Sequence, residues 1–266
     1  MNWTLLKTTF RANWVLLLVF TLILMIYVPT AIAMFNPDSA EDIEAMLGMM
    51  PEGMIRAMGF VDLGTDLTGY LANYLYGFIM IAFPMIYCSL LANRLIARHV
   101  DSGSIAYLLT TPNTRVRIAT TQALYLVASL FVMFAIAVGV AVAMSAAMFP
   151  GLLDIPRFVA LNWVTCLALL TGAGIGFVSS CAASETRHSL AFGAGVPVLF
   201  FVFRMLSLLD EQTEWMKYLS AYSIVDTDRV LAGGSYTLIV TLVLVPVVAG
   251  LFAAGVVVFD RRSLAV

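Results

Sequence analysis

The sequence predicts an all-α polytopic membrane protein with six transmembrane helices, and three observations support this fold class. Of 266 residues, 62% are hydrophobic and only 11% are charged, whereas an average soluble domain has about half and about a quarter. Six apolar stretches are each long enough to cross the hydrocarbon of a bilayer, which takes about 20 helical residues. The basic residues concentrate in alternate connections between these stretches. We therefore expect one transmembrane domain over residues 1–266.

Each apolar stretch is predicted to be a helix because backbone groups in hydrocarbon must find their hydrogen bonds within the segment. The six predicted membrane helices are 14–35, 70–92, 118–149, 158–183, 189–209 and 237–259. The third and fourth exceed the length that a perpendicular crossing requires, so tilting or extension beyond the bilayer is expected.

The stretch before the first predicted helix has two interpretations. Large apolar residues recur there at helical spacing, namely Trp3, Leu6, Phe10 and Trp14. This pattern is typical of an amphipathic segment on the membrane surface, and equally of a cytoplasmic extension of the first helix. A cleaved signal peptide is less favoured because the apolar run is too long for a signal core.

Two connections, 36–69 and 210–236, are too long to be simple turns. In the first, Ser39 followed by Asp42 and by helically spaced apolar residues predicts short helices. The second contains aromatic residues of the kind that anchor at a membrane interface. Both connections are expected on the outer side.

Small residues recur in two predicted helices. The fourth contains Gly172, Gly174 and Gly176, and the third contains Ala135, Gly139, Ala143 and Ala147. Small residues let membrane helices approach closely. The pattern predicts tight packing within the chain, with a dimer face as the alternative.

The distribution of Lys and Arg predicts the orientation. Nine of these fourteen residues lie in the amino-terminal stretch, the second and fourth connections and the carboxy-terminal tail. Because such residues are retained in the cytoplasm while acidic residues count for little, both termini are expected to be cytoplasmic. Arg204 falls near the outer end of the fifth predicted helix, where its side chain is expected to snorkel to the headgroups.

Several function classes are excluded by chemistry that the sequence lacks. A net charge of −2 gives no basic excess for nucleic acid. Neither lysine, Lys7 or Lys217, follows a glycine, so the chain has no P-loop. No catalytic, cofactor or metal site is predicted, because no nucleophile motif or metal-ligand spacing is present. A passive channel or secondary carrier remains the alternative function, disfavoured by the near absence of ionisable residues in the predicted helices.

The second connection has the strongest functional pattern. Asp101 or Ser102 is suited to begin a short helix, and Pro112 helps to end it. The apolar face of that helix would comprise Ile105, Leu108 and Leu109. The sequence therefore predicts a compact helix at the cytoplasmic surface, between two membrane helices, against which a cytoplasmic partner could push.

This connection resembles the corresponding segment of permease subunits of the ABC type-2 exporter family. That family typically shows an arginine, an acidic residue, a glycine with Ser or Thr after it, a Leu-Leu pair, a proline and another arginine. The matching residues are Arg98, Asp101, Gly103, Ser104, Leu108, Leu109, Pro112 and Arg115. We call residues 98–115 the coupling segment. Two positions depart from the pattern, since His99 stands where many members have glutamate and Ser104 replaces the more usual threonine.

The resemblance implies a permease that pairs with a separate ABC ATPase subunit in a bacterial or archaeal cytoplasmic membrane. Two permeases, identical or homologous, and two ATPases would form one exporter. ATP and Mg²⁺ would bind the partner, with no cofactor on this chain. The short helix, including Ile105, would sit in a groove of the ATPase and transmit its closure. The expected cargo is hydrophobic or amphipathic, such as a drug, peptide or lipid.

Overall fold

A computed structural model describes residues 3–35, 66–105, 114–209 and 211–262. The α-helices of this described part are α1 Trp3–Met34, α2 Leu67–Tyr76, α3 Ile79–Leu95, α4 Ala97–Asp101, α5 Arg115–Met148, α6 Ile155–Ala182, α7 Thr186–Gly193, α8 Gly195–Ser207, α9 Thr227–Leu231 and α10 Tyr236–Arg261. Two 3-10 helices, Glu211–Leu219 and Ala221–Ile224, lie between α8 and α9. The short helices predicted in the first outer connection fall outside the described residues.

Six helical segments are long and apolar enough to cross a membrane, which confirms the predicted fold class. They are α1, α3 continued by α4, α5, α6, α7 continued by α8, and α10. We call them the first to sixth spans. Helix α1 begins at Trp3 and runs without interruption, so the amino-terminal stretch is an extension of the first helix and not a separate surface segment.

Two predicted helices are divided in the structure, contrary to the sequence-based bounds. The predicted helix 70–92 breaks at Gly77 and Phe78, between α2 and α3. The predicted helix 189–209 breaks at Ala194, between α7 and α8. Pro197 explains the second break, because it has no N–H to continue the hydrogen-bond ladder and is well tolerated in the first turn of α8.

The core lies around α3 and α6, whose side chains are mostly buried. Helix α10 packs along α6, and α1 packs along α5. The first, fifth and sixth spans expose apolar side chains on their outer faces. Such faces suit a lipid environment, where apolar exposure carries no hydrophobic penalty.

The glycines of α6 permit close packing within the chain. A Cβ at Gly174 would lie 2.9 Å from the Leu251 Cβ of α10, and one at Gly172 would lie 2.2 Å from the Tyr222 hydroxyl. The first of the two predicted roles for small residues therefore holds for α6. The small residues of α5 behave differently, since all four are exposed: Ala135, Gly139, Ala143 and Ala147.

Candidate functional site

The coupling segment begins in α4, which is held against the fourth and fifth spans. The Ala97 N–H donates to the Ser180 hydroxyl of α6 at 2.9 Å. The Asp101 carboxylate accepts from the Thr186 N–H, the first residue of α7, at 3.3 Å. Carboxylates are stabilised at a helix amino terminus, where backbone N–H groups lack intrahelical partners. Asp101 thus ties the end of α4 to the start of the fifth span.

A glycine ends α4. Gly103 has φ of 71°, in the left-handed region that glycine enters at little cost, and its N–H donates to the Val100 carbonyl at 3.0 Å. Two residues were predicted to begin the short helix of the coupling segment. Asp101 is the last residue of α4, and Ser102 is the first residue after α4.

The two residues that depart from the family pattern contact each other. His99 Nδ1 lies 3.0 Å from the Ser104 hydroxyl oxygen, which is 2.9 Å from the Ser102 hydroxyl oxygen. Ser104 also donates to the His99 carbonyl at 3.3 Å. These hydrogen bonds close residues 99–104 into a short loop.

The remaining predicted site residues lie at different depths. Arg98 is exposed and lines a cleft of about 500 Å³ together with Arg94 and Thr186. Ile105 is only 6% exposed and packs in the hydrophobic core of the chain. In this structure Ile105 therefore anchors the segment to the membrane domain. Leu108, Leu109 and Pro112 fall outside the described residues.

Arg115, the last residue of the predicted motif, joins the start of α5 to the end of α10. Its guanidinium donates to the Arg262 carbonyl at 2.6 Å. The Arg262 side chain in turn donates to the carbonyls of Cys181 and Ala183 at 3.0 and 2.8 Å, and to the Ser184 hydroxyl at 2.7 Å. These carbonyls belong to the carboxy-terminal end of α6, where acceptors lack intrahelical partners.

Arg262 is a structural residue whose contacts could not be predicted from its position in the sequence. The closing Arg-Arg pair is visible there, but its acceptors lie about eighty residues earlier in the chain. Partial burial lowers the pKa of Arg262, because desolvation disfavours the charged guanidinium. The carbonyl and hydroxyl acceptors compensate for that desolvation.

The hydrogen bonds around the coupling segment connect several helices at one end of the bundle. Contacts of the coupling segment and its neighbours reach α6, α7 and α10. A partner that moves this segment would therefore act on three spans at once. Such an action changes the conformation only when the partner contacts two states of the membrane domain differently.

Comparison with known families decides the identity of the chain. A family model described as ABC-2 family transporter protein matches residues 6–264. The chain belongs to this family. The resemblance found in the sequence is thereby confirmed, and the chain is a multi-pass membrane permease of an ABC transporter. No individual curated protein matches it significantly.

Membership in the ABC-2 family also defines what this permease is not. The family is the transmembrane component of its transporters and associates with an ABC ATPase, so it is not itself the ATPase. Among the described residues of the permease, no group of three His, Cys, Asp or Glu side chains is arranged to hold a metal ion.

A second polar cluster of the permease surrounds Arg204, at the opposite end of the bundle. The prediction that Arg204 snorkels to the headgroups is wrong, because its side chain is only 6% exposed. It donates to the carbonyls of Gly77 at 2.8 Å, Tyr76 at 3.2 Å and Val225 at 3.4 Å. The break between α2 and α3 frees the first two carbonyls, and the guanidinium of α8 satisfies them.

Arg204 also lines a polar cavity of about 300 Å³ in the permease. Two ion pairs lie on its wall, Lys217 with Glu214 and Arg229 with Asp226. The Asp226 carboxylate also accepts from the Arg229 N–H at 3.1 Å and so begins α9. Mixed charges on this wall fit an aqueous surface and not a lipid-facing one.

Proposed function

We propose that this chain is the membrane-spanning subunit of an ATP-driven exporter that moves a hydrophobic or amphipathic substrate out of a bacterial or archaeal cell. The observation that carries the proposal is the coupling segment, which lies within the family-matched region and joins three spans at one end of the bundle. A separate ATPase subunit would supply the energy, since the chain has no P-loop.

The coupling segment is the proposed docking site for the ATPase. Ile105 is held inside the permease, which fixes one end of the segment. We assign docking to Leu108 and Leu109, which follow at helical spacing. The exposed Arg98 and its neighbour Arg94 line the adjacent cleft and would contact acidic groups of the partner.

Substituting the two leucines tests the docking assignment. The double variant Leu108→Ser with Leu109→Ser should weaken ATPase binding at least tenfold, because truncating a buried interface anchor costs about 2 kcal/mol or more. Thermal unfolding of the isolated permease should stay unchanged. Binding is measured by titrating labelled ATPase onto the purified permease.

Ile105→Ser provides the matched control, since that side chain is buried in the permease core. This variant should lower the unfolding temperature of the isolated permease. If the leucine variant lowers that temperature as well and binds the ATPase normally, the leucines pack on the permease itself, and the docking assignment is wrong.

The orientation and the direction of transport belong to the same proposal. The bias of Lys and Arg supports cytoplasmic termini, which places the coupling segment on the side where ATP is available. An apolar groove of about 540 Å³ supports an amphipathic cargo; it lies between α6, α7 and α10, and His188 and Ser179 line it beside Phe192 and Leu251. Transport into inside-out vesicles should require ATP and both subunits.

A second permease copy, identical or homologous, would complete the transporter. The exposed small residues of α5 support such a contact, because they would allow the backbone of another helix to approach. Gly139→Cys should then form a disulfide between two copies under mild oxidation. Exposed Leu242→Cys on α10 serves as the control position, and cross-linking at Leu242 with none at Gly139 would place the contact elsewhere.

A further inference from the structure

A groove of about 420 Å³ runs between the amino-terminal part of α1 and the middle of α5. Its lining is almost entirely apolar and includes Leu6, Phe10, Leu17 and Val132. Phe10 and Val132 are exposed on the outer face of the bundle, so the groove opens toward the surrounding lipid. The polar side-chain groups on this surface belong to Trp3, Lys7, Tyr125 and Ser129.

One of these polar groups has no partner. Tyr125 is only 4% exposed, and its hydroxyl has no hydrogen-bond partner within the described structure. Buried hydroxyls are normally paired, because an unpaired one loses its bonds to water without compensation. Tyr125 lines the groove, while its hydroxyl oxygen is closed off from the groove surface. A ligand in the groove that offers an oxygen acceptor would supply the missing bond once the tyrosine side chain turns toward it.

The charges around the groove favour an anion. Lys7 is exposed and lines the groove. Arg11 follows one turn later on α1, and neither α1 nor α5 contains an acidic residue. No carboxylate on either wall therefore competes with a negatively charged ligand for the Lys7 ammonium.

The depth of these groups matches a phospholipid. Lys7 precedes Trp14, the predicted start of the hydrocarbon region, by about 10 Å of helix. That offset places the ammonium at headgroup level and the groove walls at Leu17 and Val132 at the level of the acyl chain. An amphipathic lipid would thus have the cation and the hydroxyl donor beside its polar headgroup and the apolar channel beside its acyl chain.

We propose that this groove binds an anionic phospholipid, whose phosphate pairs with Lys7, whose phosphate or ester oxygen accepts from the Tyr125 hydroxyl and whose acyl chain lies along Leu17 and Val132. A second copy of the chain fits the groove less well. It would bring two sets of Lys7 and Arg11 together and offer no identified acceptor to Tyr125.

Native mass spectrometry of the purified permease tests the proposal without any ATPase, so the result is independent of the proposed export function. The probes are detergent-solubilised phosphatidylglycerol and phosphatidylcholine with identical acyl chains. Wild-type permease should retain phosphatidylglycerol about tenfold more strongly. Lys7→Gln should remove that preference, and Tyr125→Phe should weaken retention of both lipids several-fold.

Two variants outside the groove serve as controls. Tyr76→Phe alters another buried tyrosine and Lys217→Gln another exposed lysine, and both should bind the two lipids as the wild type does. Thermal unfolding without lipid verifies that each variant is folded. Equal retention of the two lipids by wild type, or retention that neither groove variant changes, overturns the proposal. Efficient disulfide formation between two copies of Phe10→Cys would do the same, by assigning the groove to a second copy.

Discussion

Replacement of Arg204 is the sharpest test of the architecture at the polar cavity that this residue lines. Arg204→Met keeps a long side chain but removes the guanidinium from α8. The carbonyls of Gly77 and Tyr76, now bonded at 2.8 and 3.2 Å, would remain buried without a partner. The bond to Val225 at 3.4 Å is longer and contributes less.

The expected magnitude follows from those two carbonyls. Leaving a buried acceptor unpaired costs about 1–3 kcal/mol, so two give about 2–6 kcal/mol. Part of this loss is offset, because the variant no longer buries a charge. We expect a net destabilisation of about 2–4 kcal/mol, which corresponds to a fall of about 5–10 °C in Tm for a chain of this size.

The assay is thermal unfolding of the purified permease in one detergent, with Arg229→Ala as the matched control. Arg229 lines the same cavity, but its side chain is 68% exposed in its pair with Asp226. Removal of an exposed pair changes stability by about 0–1 kcal/mol. Arg204→Lys should fall between the two, because an ammonium keeps the charge but lacks the planar fork of donors. If Arg204→Met and Arg229→Ala unfold within about 1 °C of each other, Arg204 does not hold the helix break.

Three further predictions address packing, the α6 end and orientation. Gly255→Ala should lower the Tm of the permease by overpacking, at about 1–3 kcal/mol, because the new Cβ would lie 2.6 Å from a phenylalanine ring carbon; Gly250→Ala, with nothing within 4 Å, should not lower it. Arg262→Ala should destabilise the permease by about 1–3 kcal/mol in chemical denaturation, since it leaves the α6 carbonyls unpaired, and an unchanged midpoint would show that water replaces the guanidinium. In intact cells, Glu214→Cys should react with an impermeant thiol reagent and Ser102→Cys should not, and the reverse result would invert the proposed orientation.

The spans could be predicted from the sequence because lipid exposure and core burial both demand apolar residues. Helix α1 is mostly exposed and α6 mostly buried, yet both read as apolar stretches of sufficient length. Because both environments favour apolar residues, hydropathy alone also left one feature of the fold unpredicted. It could not distinguish the central spans from the peripheral ones, because in a bilayer neither position requires a polar face.

The break between α2 and α3 could not be predicted for a different reason. Neither Gly77 nor Phe78 forces a helix to end, and no proline is adjacent. The break is stabilised by Arg204, whose carbonyl contacts join residues separated by 127 and 128 positions. A charged residue near a helix end reads as a snorkelling side chain until its distant acceptors are known.

The motif identified the coupling segment in the sequence, but it did not predict which residues the segment contacts. Arg98, Asp101 and Arg115 lie in one connection, as the sequence predicts, whereas the partners of Asp101 and Arg115 lie on other spans. Motif spacing specifies which residues are neighbours along the chain. The packing of α6, α7 and α10 decides which carbonyls and N–H groups they meet.

Each of the two polar clusters includes a contact between the fifth span and an end of the α2–α4 region. At one end Asp101, which follows α3, bonds to the start of α7. At the other end Arg204, near the end of α8, bonds to the carbonyls that precede α3. The fifth span is therefore hydrogen-bonded through α7 to the end of the second span, and through α8 to the residues directly before the second span. The fifth span itself is broken at Ala194, between these two contacts. We therefore expect a partner that moves α4 to affect the hydrogen bonds of Arg204 as well. Movement at the coupling segment would then reach the polar cavity through these two spans, provided that each span has a second stable arrangement.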